Sequence, residues 1–107
     1  MKFKENIYKD LKKYSLDNPN QEVCALLYKR NEEIFLKQCK NIHNDPENFF
    51  RISALDYLKT NSLGEITTVF HSHPKTGGPS EKDIEMSKNL SIPFLVYSIL
   101  KNKFYYI

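Results

Sequence analysis

The spacing of hydrophobic positions changes several times along this chain, and each change marks an element. Phe3, Ile7, Leu11 and Tyr14 recur at intervals of four, four and three among lysines and acids, the one-sided stripe of an amphipathic helix. The pattern predicts a helix over residues 3–16, ended by Asp17-Asn18-Pro19-Asn20. Residues 23–29 (VCALLYK) and 34–40 (IFLKQCK) read as strands, and the polar Arg30-Asn31-Glu32-Glu33 between them predicts an antiparallel hairpin. Residues 41–50 (NIHNDPENFF) have no period and hold turn formers, so they form a loop. Ser53 is placed to cap a helix running to residue 61, with Asp56 completing a capping-box-like pair and Asn61-Ser62-Leu63-Gly64 closing it. The β-branched run 65–70 (EITTVF) is a strand leading into His71-Ser72-His73-Pro74, followed by an irregular loop at 75–79 (KTGGP). Ser80 opens a helix to residue 90, with Ile84 and Leu90 expected to face the core. Pro93 separates it from a buried-looking strand, 94–100, and Asn102 turns the chain into a last strand, 104–107.

This order predicts an α/β (α+β) class, a mixed sheet with helices packed on it. The 107 residues are one domain's worth of chain, taken as a single unit over 1–107, and 40% apolar content is too high for a disordered segment. The longest apolar-leaning stretch, 92–100, is nine residues and contains Pro93 and Ser98, against roughly 20 needed to cross a bilayer. The first ten residues alternate charge with apolar positions and lack a signal-peptide core. The expected location is therefore the cytoplasm.

Charge adds little. The net +3 sits in residues 1–13, where five lysines face Glu5 and Asp10, and the remaining 11 basic and 11 acidic residues balance. Only Arg30 and Arg51 are arginines, the residue usually used for bidentate phosphate and base contacts, so the lysines read as a solvated helix face and no nucleic-acid partner is expected. Cys24 and Cys39 lie in strand-like runs and read as unbridged structural thiols.

The chemistry concentrates in residues 71–83. Two of the three histidines are His71 and His73, and residues i and i+2 of an extended segment point to the same side. Asp83 follows Ser80 by one helical turn, so a helix folding back over the strand end would bring His71, His73 and Asp83 together. Three protein ligands with an open fourth position mark a catalytic rather than a structural zinc. Ser80 and Asp83 are also explained by helix capping alone, but capping does not account for the histidines, Pro74 and the Gly-Gly-Pro loop.

The segment HSHPKTGGPSEKD resembles the signature of the JAMM (MPN-plus) zinc metalloproteases: His-x-His-Pro, a short loop, then Ser-x-x-Asp. The family's upstream Pro-x-Glu-x-Cys-Gly-hydrophobic run is matched by Pro19-Asn20-Gln21-Glu22-Val23-Cys24-Ala25. NDPENFFRISALDYLK, GEITTVFHSHP and NLSIPFLVYSI are similar to the JAB-domain branch of bacteriophage tail-tip proteins, where the domain is often fused to an NlpC/P60 peptidase. The resemblance spans residues 17–100 and implies a cytidine-deaminase-like JAB/MPN fold and, for a phage protein, a location in the virion instead of the cytoplasm. It further implies His71, His73 and Asp83 as ligands of Zn2+, Glu22 as the general acid/base, and Ser80 as a stabiliser of the oxyanion. No pattern among the chain's own acids singles out Glu22. Two positions depart from the family: the gap between Pro74 and Ser80 holds five residues instead of six, and Ala25 replaces a glycine.

The expected function is hydrolysis of a peptide or isopeptide bond, in a virion protein or in peptidoglycan, with other tail-tip proteins or an NlpC/P60 peptidase as partners. The alternative is a non-catalytic tail-tip module with a structural or vestigial metal site. A deaminase-like enzyme is disfavoured, because its His-x-Glu and Cys-x-x-Cys patterns are absent. His43 is read as a solvent-exposed loop residue, and Phe49-Phe50 and Tyr105-Tyr106 as core and edge-strand aromatics rather than cleft walls.

Overall fold

The structure, a computed structural model, describes residues 3–107; residues 1 and 2, including Lys2 of the basic N-terminal stretch, lie outside the described residues. Strands β1 (Cys24–Arg30) and β2 (Glu33–Cys39) form the expected hairpin, in register from Cys24 opposite Cys39 to Arg30 opposite Glu33. The turn is Asn31-Glu32, both at positive φ (51° and 67°), the backbone twist that suits a two-residue hairpin loop. With β3 (Glu65–His73), β4 (Phe94–Ser98) and β5 (Lys103–Tyr106) they build one mixed sheet of order β2-β1-β3-β4-β5. Only the β3–β4 pair is parallel, because the helix between them, α3 (Glu81–Leu90), carries the chain back across the sheet.

Alternation along the strands divides the core in two. On one face Ala25, Leu27, Phe70, Leu95 and Tyr97 pack against Ile7 and Leu11 of α1 (Glu5–Asp17). On the other, Cys24, Leu26, Val69 and Phe94 pack with Phe50 and Ile52, beneath α2 (Ala54–Leu63) and α3. Cys24 and Cys39 are free, buried thiols, and burial pushes them up to about 12 and about 11. Gly64, between α2 and β3, lies against the Lys29 carbonyl, where a Cβ has no room. Among the described residues, no helix is long and apolar enough to cross a membrane.

The α/β class and every predicted element are present, with four local differences. The first helix starts at Glu5, leaving Phe3 buried just ahead of it. The third strand does not stop at Phe70 but continues to His73, because His71, Ser72 and His73 pair with Val96, Tyr97 and Ser98 until Pro74 ends the ladder. The fourth strand ends at Ser98, where the chain turns through Asn102 at φ 49°. Ile84 and Leu90 do not face the core and are 42% and 44% exposed. The inward face of α3 instead carries buried Asp83 and, one turn on, Met86.

Candidate metal centre

Extended backbone through residue 73 sets His71 and His73 on the same side of β3, the side covered by α2 and α3. Ser80 caps α3 in a full capping box: its hydroxyl accepts from the Asp83 N–H at 3.1 Å, and the Asp83 carboxylate accepts from the Ser80 N–H at 2.9 Å. The same carboxylate reaches both rings, Oδ1 lying 3.0 Å from His71 Nε2 and Oδ2 3.0 Å from His73 Nε2. The two Nε2 atoms are 3.1 Å apart. The loop at 75–79 therefore delivers Asp83 onto the histidines despite its five-residue length, with Gly78 at φ +58° turning the chain.

Glu22 sits just before β1, buried, and is locked at its backbone. Its N–H donates to the Pro46 carbonyl at 2.7 Å, and its carbonyl accepts from the Asn41 side chain at 2.8 Å. The next residue, Val23, exchanges hydrogen bonds with Ser72, donating to its hydroxyl at 2.9 Å and accepting from its N–H at 3.0 Å. Ser72, between the two histidines, thereby ties the Glu22 segment to them. Donor atoms of Glu22, His71 and His73 all lie within 4.8 Å of one another.

Fit to a cation follows from the donor set. The two ring nitrogens lie 3.1 Å apart, close to the ~3.3 Å between ligand atoms of a tetrahedral metal site, and the Asp83 carboxylate meets each of them through a different oxygen at 3.0 Å. Nitrogen and oxygen donors of this kind suit a divalent transition-metal ion, zinc, iron, copper and nickel among them. The two facing Nε2 atoms share one carboxylate. His73 is oriented through Nδ1 by the Thr76 hydroxyl at 3.0 Å. The His71 ring is held by packing: Phe50 stacks on it at 4.3 Å, Phe94 meets it edge-on at 5.6 Å, and its buried Nδ1 has no partner among the described residues.

Electrostatics separate the two buried acids. Burial pushes Glu22 up to about 8, with the His73 charge pulling the other way and the Asp83 charge adding to it. Burial also opposes ionisation of Asp83, but its bonds to His71 and His73 outweigh that and hold its carboxyl well below the usual carboxylate range. Burial lowers His71 below the ordinary histidine value. It acts the same way on His73, where the Asp83 hydrogen bond and the nearby Glu22 charge prevail and raise the pKa.

The site opens into a cleft of about 260 Å³ reached by Glu22, His73, Ser80 and Asp83 and walled by Phe49, Phe50 and Met86. All five residues singled out from the sequence thus meet at one place, with only His71 set behind the cleft surface. The aromatic pair 49–50 lines the cleft, contrary to the core-only expectation. His43 is half-buried, its ring tilted against Phe49 at 5.0 Å, rather than the solvent-exposed loop residue expected. Sequence reasoning missed Asn41, whose side chain makes four bonds, to the Glu22 and Phe49 carbonyls and from the His43 and Arg51 N–H groups. A lone Asn after a strand gives no signal of that role.

No protein-family model matches the chain. It is 27% identical over 79 residues to the tail tip assembly protein K of Escherichia phage N15, a stretch covering 73% of this chain and 32% of that protein. The chain therefore spans about a third of that relative's length.

Proposed function

We propose that this chain is a phage tail-associated zinc metallopeptidase that hydrolyses a peptide or isopeptide bond. The tail association rests on the similarity to the N15 tail tip assembly protein. The peptidase reading rests chiefly on one observation: two buried acids meet the same pair of histidines, the Asp83 carboxylate 3.0 Å from both rings and Glu22 with donor atoms within 4.8 Å of theirs. A metal ligand must be deprotonated, which fits Asp83, held charged at 3.0 Å from both rings. A general acid/base works best with a pKa near the operating pH, which fits Glu22 at about 8.

His71, His73 and Asp83 would hold the zinc, which when bound supplies a Lewis acid for a carbonyl and acidifies a water. Glu22 takes a proton from the attacking water and returns it to the leaving amine. Ser80 faces the cleft. Its oxygen already accepts from the Asp83 N–H, so its own proton remains available to donate to the oxygen that becomes negative. The buried Phe50 and Phe94 around His71 keep water away from the inner side of the pair.

Elemental analysis with a peptide-hydrolysis assay tests this. Wild type and Glu22→Gln should carry about one zinc per chain and Asp83→Ala none, and only wild type should cleave. Zinc lost from Glu22→Gln but kept by Asp83→Ala would reverse the two roles. No zinc in wild type after zinc is added back would leave a tail-tip structural module.

A further inference from the structure

The cleft beside the histidines is charged unevenly. Glu47 and Lys75 at its rim neutralise each other in a 3.3 Å ion pair. Asp83 is occupied by the two histidines and the Ser80 N–H. Lys82 is different: it lines the cleft, yet among the described residues it makes no ion pair. Its ammonium lies 4.4 Å from the centre of the Phe49 ring, a cation–π contact that favours a place on the cleft wall. Phe49 is itself 39% exposed and Lys82 is exposed, so the cation and the ring together present an accessible, positively charged surface next to Ser80 and Asp83. A carboxylate reaching it would gain a charge-assisted hydrogen bond.

We propose that Lys82 on the Phe49 ring anchors a carboxylate of the substrate, so that the centre acts on acidic peptides bearing a free carboxylate beside the scissile amide. This rests on the peptidase reading above and names its substrate class. The carboxylate has two sources, the side chain of an α-linked Asp or Glu, or the α-carboxylate of a γ-linked glutamyl unit. Lys82 is on this view a specificity residue, and Glu22, His71, His73 and Asp83 keep their roles.

The test is calorimetric binding in the zinc-loaded Glu22→Gln protein, which holds peptide uncleaved and leaves Lys82 no Glu22 charge to act upon. The probes are a short peptide with Glu beside the amide, its Gln twin and a γ-linked glutamyl counterpart. At low salt a glutamyl peptide should bind about tenfold tighter than the Gln twin, and the tighter of the α- and γ-linked forms names the source. Adding Lys82→Met should abolish the preference, and Lys82→Glu should transfer it to a Lys-bearing twin. Equal binding of both glutamyl forms and the Gln twin, or a preference that survives Lys82→Met in a folded protein, would overturn the proposal. Turnover by wild type, measured in parallel, separates the two readings. A preference without any hydrolysis keeps the anchor and removes the peptidase, whereas hydrolysis without a preference does the reverse.

Discussion

The chain writes the same four-residue pattern twice, Ser53-Ala54-Leu55-Asp56 and Ser80-Glu81-Lys82-Asp83, each at the start of a ten-residue helix. In both, the serine hydroxyl accepts from the aspartate N–H at 3.1 Å. The two aspartates then part company. Asp56 returns no hydrogen bond to Ser53, so the capping-box pair expected there is only half made. Asp83 completes its box, is buried, and spans both histidines. The pattern starts a helix in either place. What turns one copy into a candidate metal ligand is the strand it faces: α3 follows directly on β3 and returns over its end, where His71 and His73 stand.

Removing each aspartate should separate the two copies most sharply. Asp83→Ala is expected to abolish zinc binding and to cost roughly 3–5 kcal/mol by stranding two buried rings. Asp56→Ala should leave zinc unchanged and cost at most about 1 kcal/mol of first-turn helix stabilisation. Elemental analysis and urea unfolding measure both. A zinc-free Asp56→Ala protein would erase the distinction.

A second contrast sets Asp83 against Glu22, through pH. In metal-free protein the folded pKa of Glu22, about 8, lies above its ordinary value of 4.5. Its contribution to stability is therefore complete below pH 4.5 and is lost as pH rises through about 8. Asp83 is shifted the other way, so its contribution is present above its ordinary value of 3.8 and fades as pH falls below that. Urea midpoints in a chelator should show Glu22→Gln gaining on wild type as pH rises from about 5 to 9. The same substitution should reduce hydrolysis by about 10²–10⁴-fold. A Glu22→Gln midpoint that tracks wild type across that range would mean the carboxyl is solvated and ordinary.

The smallest effect compares the serines. Ser53→Ala and Ser80→Ala should each cost about 1 kcal/mol, the usual value of a lost cap. Only Ser80→Ala should also slow turnover, by about 10²-fold, with zinc retained. Equal turnover in the two variants would reduce Ser80 to a cap.

Much of the fold was legible along the chain, because each element is selected by local spacing. The hairpin followed from two apolar runs around a polar turn, and the α2 start from Ser53. The exceptions lie where partners distant in sequence decide the outcome. β3 gains its last three residues only because β4 offers them a parallel ladder. On α3, apolar Ile84 looked like a core residue, yet buried Asp83 and half-buried Met86 hold the inward face.

The site divides the same way. His71, His73, Ser80 and Asp83 lie within thirteen consecutive residues, so strand and helix periodicity were enough to bring them into view. Glu22 was chosen by motif resemblance alone, since nothing local distinguishes it from the chain's other acids. What singles it out is contact between distant segments. The Ser72–Val23 exchange ties its segment to the histidine strand, Asn41 and Pro46 hold its backbone, and burial raises its carboxyl pKa. The Phe50 stack on His71 and the Lys82 contact with Phe49 likewise join parts of the chain more than twenty residues apart. Sequence by itself determined which side chains share a face, because that depends only on the period of the backbone. Tertiary structure alone decided which acid is pushed toward its protonated form and which toward its charged form, because that depends on burial and on neighbours from elsewhere in the chain.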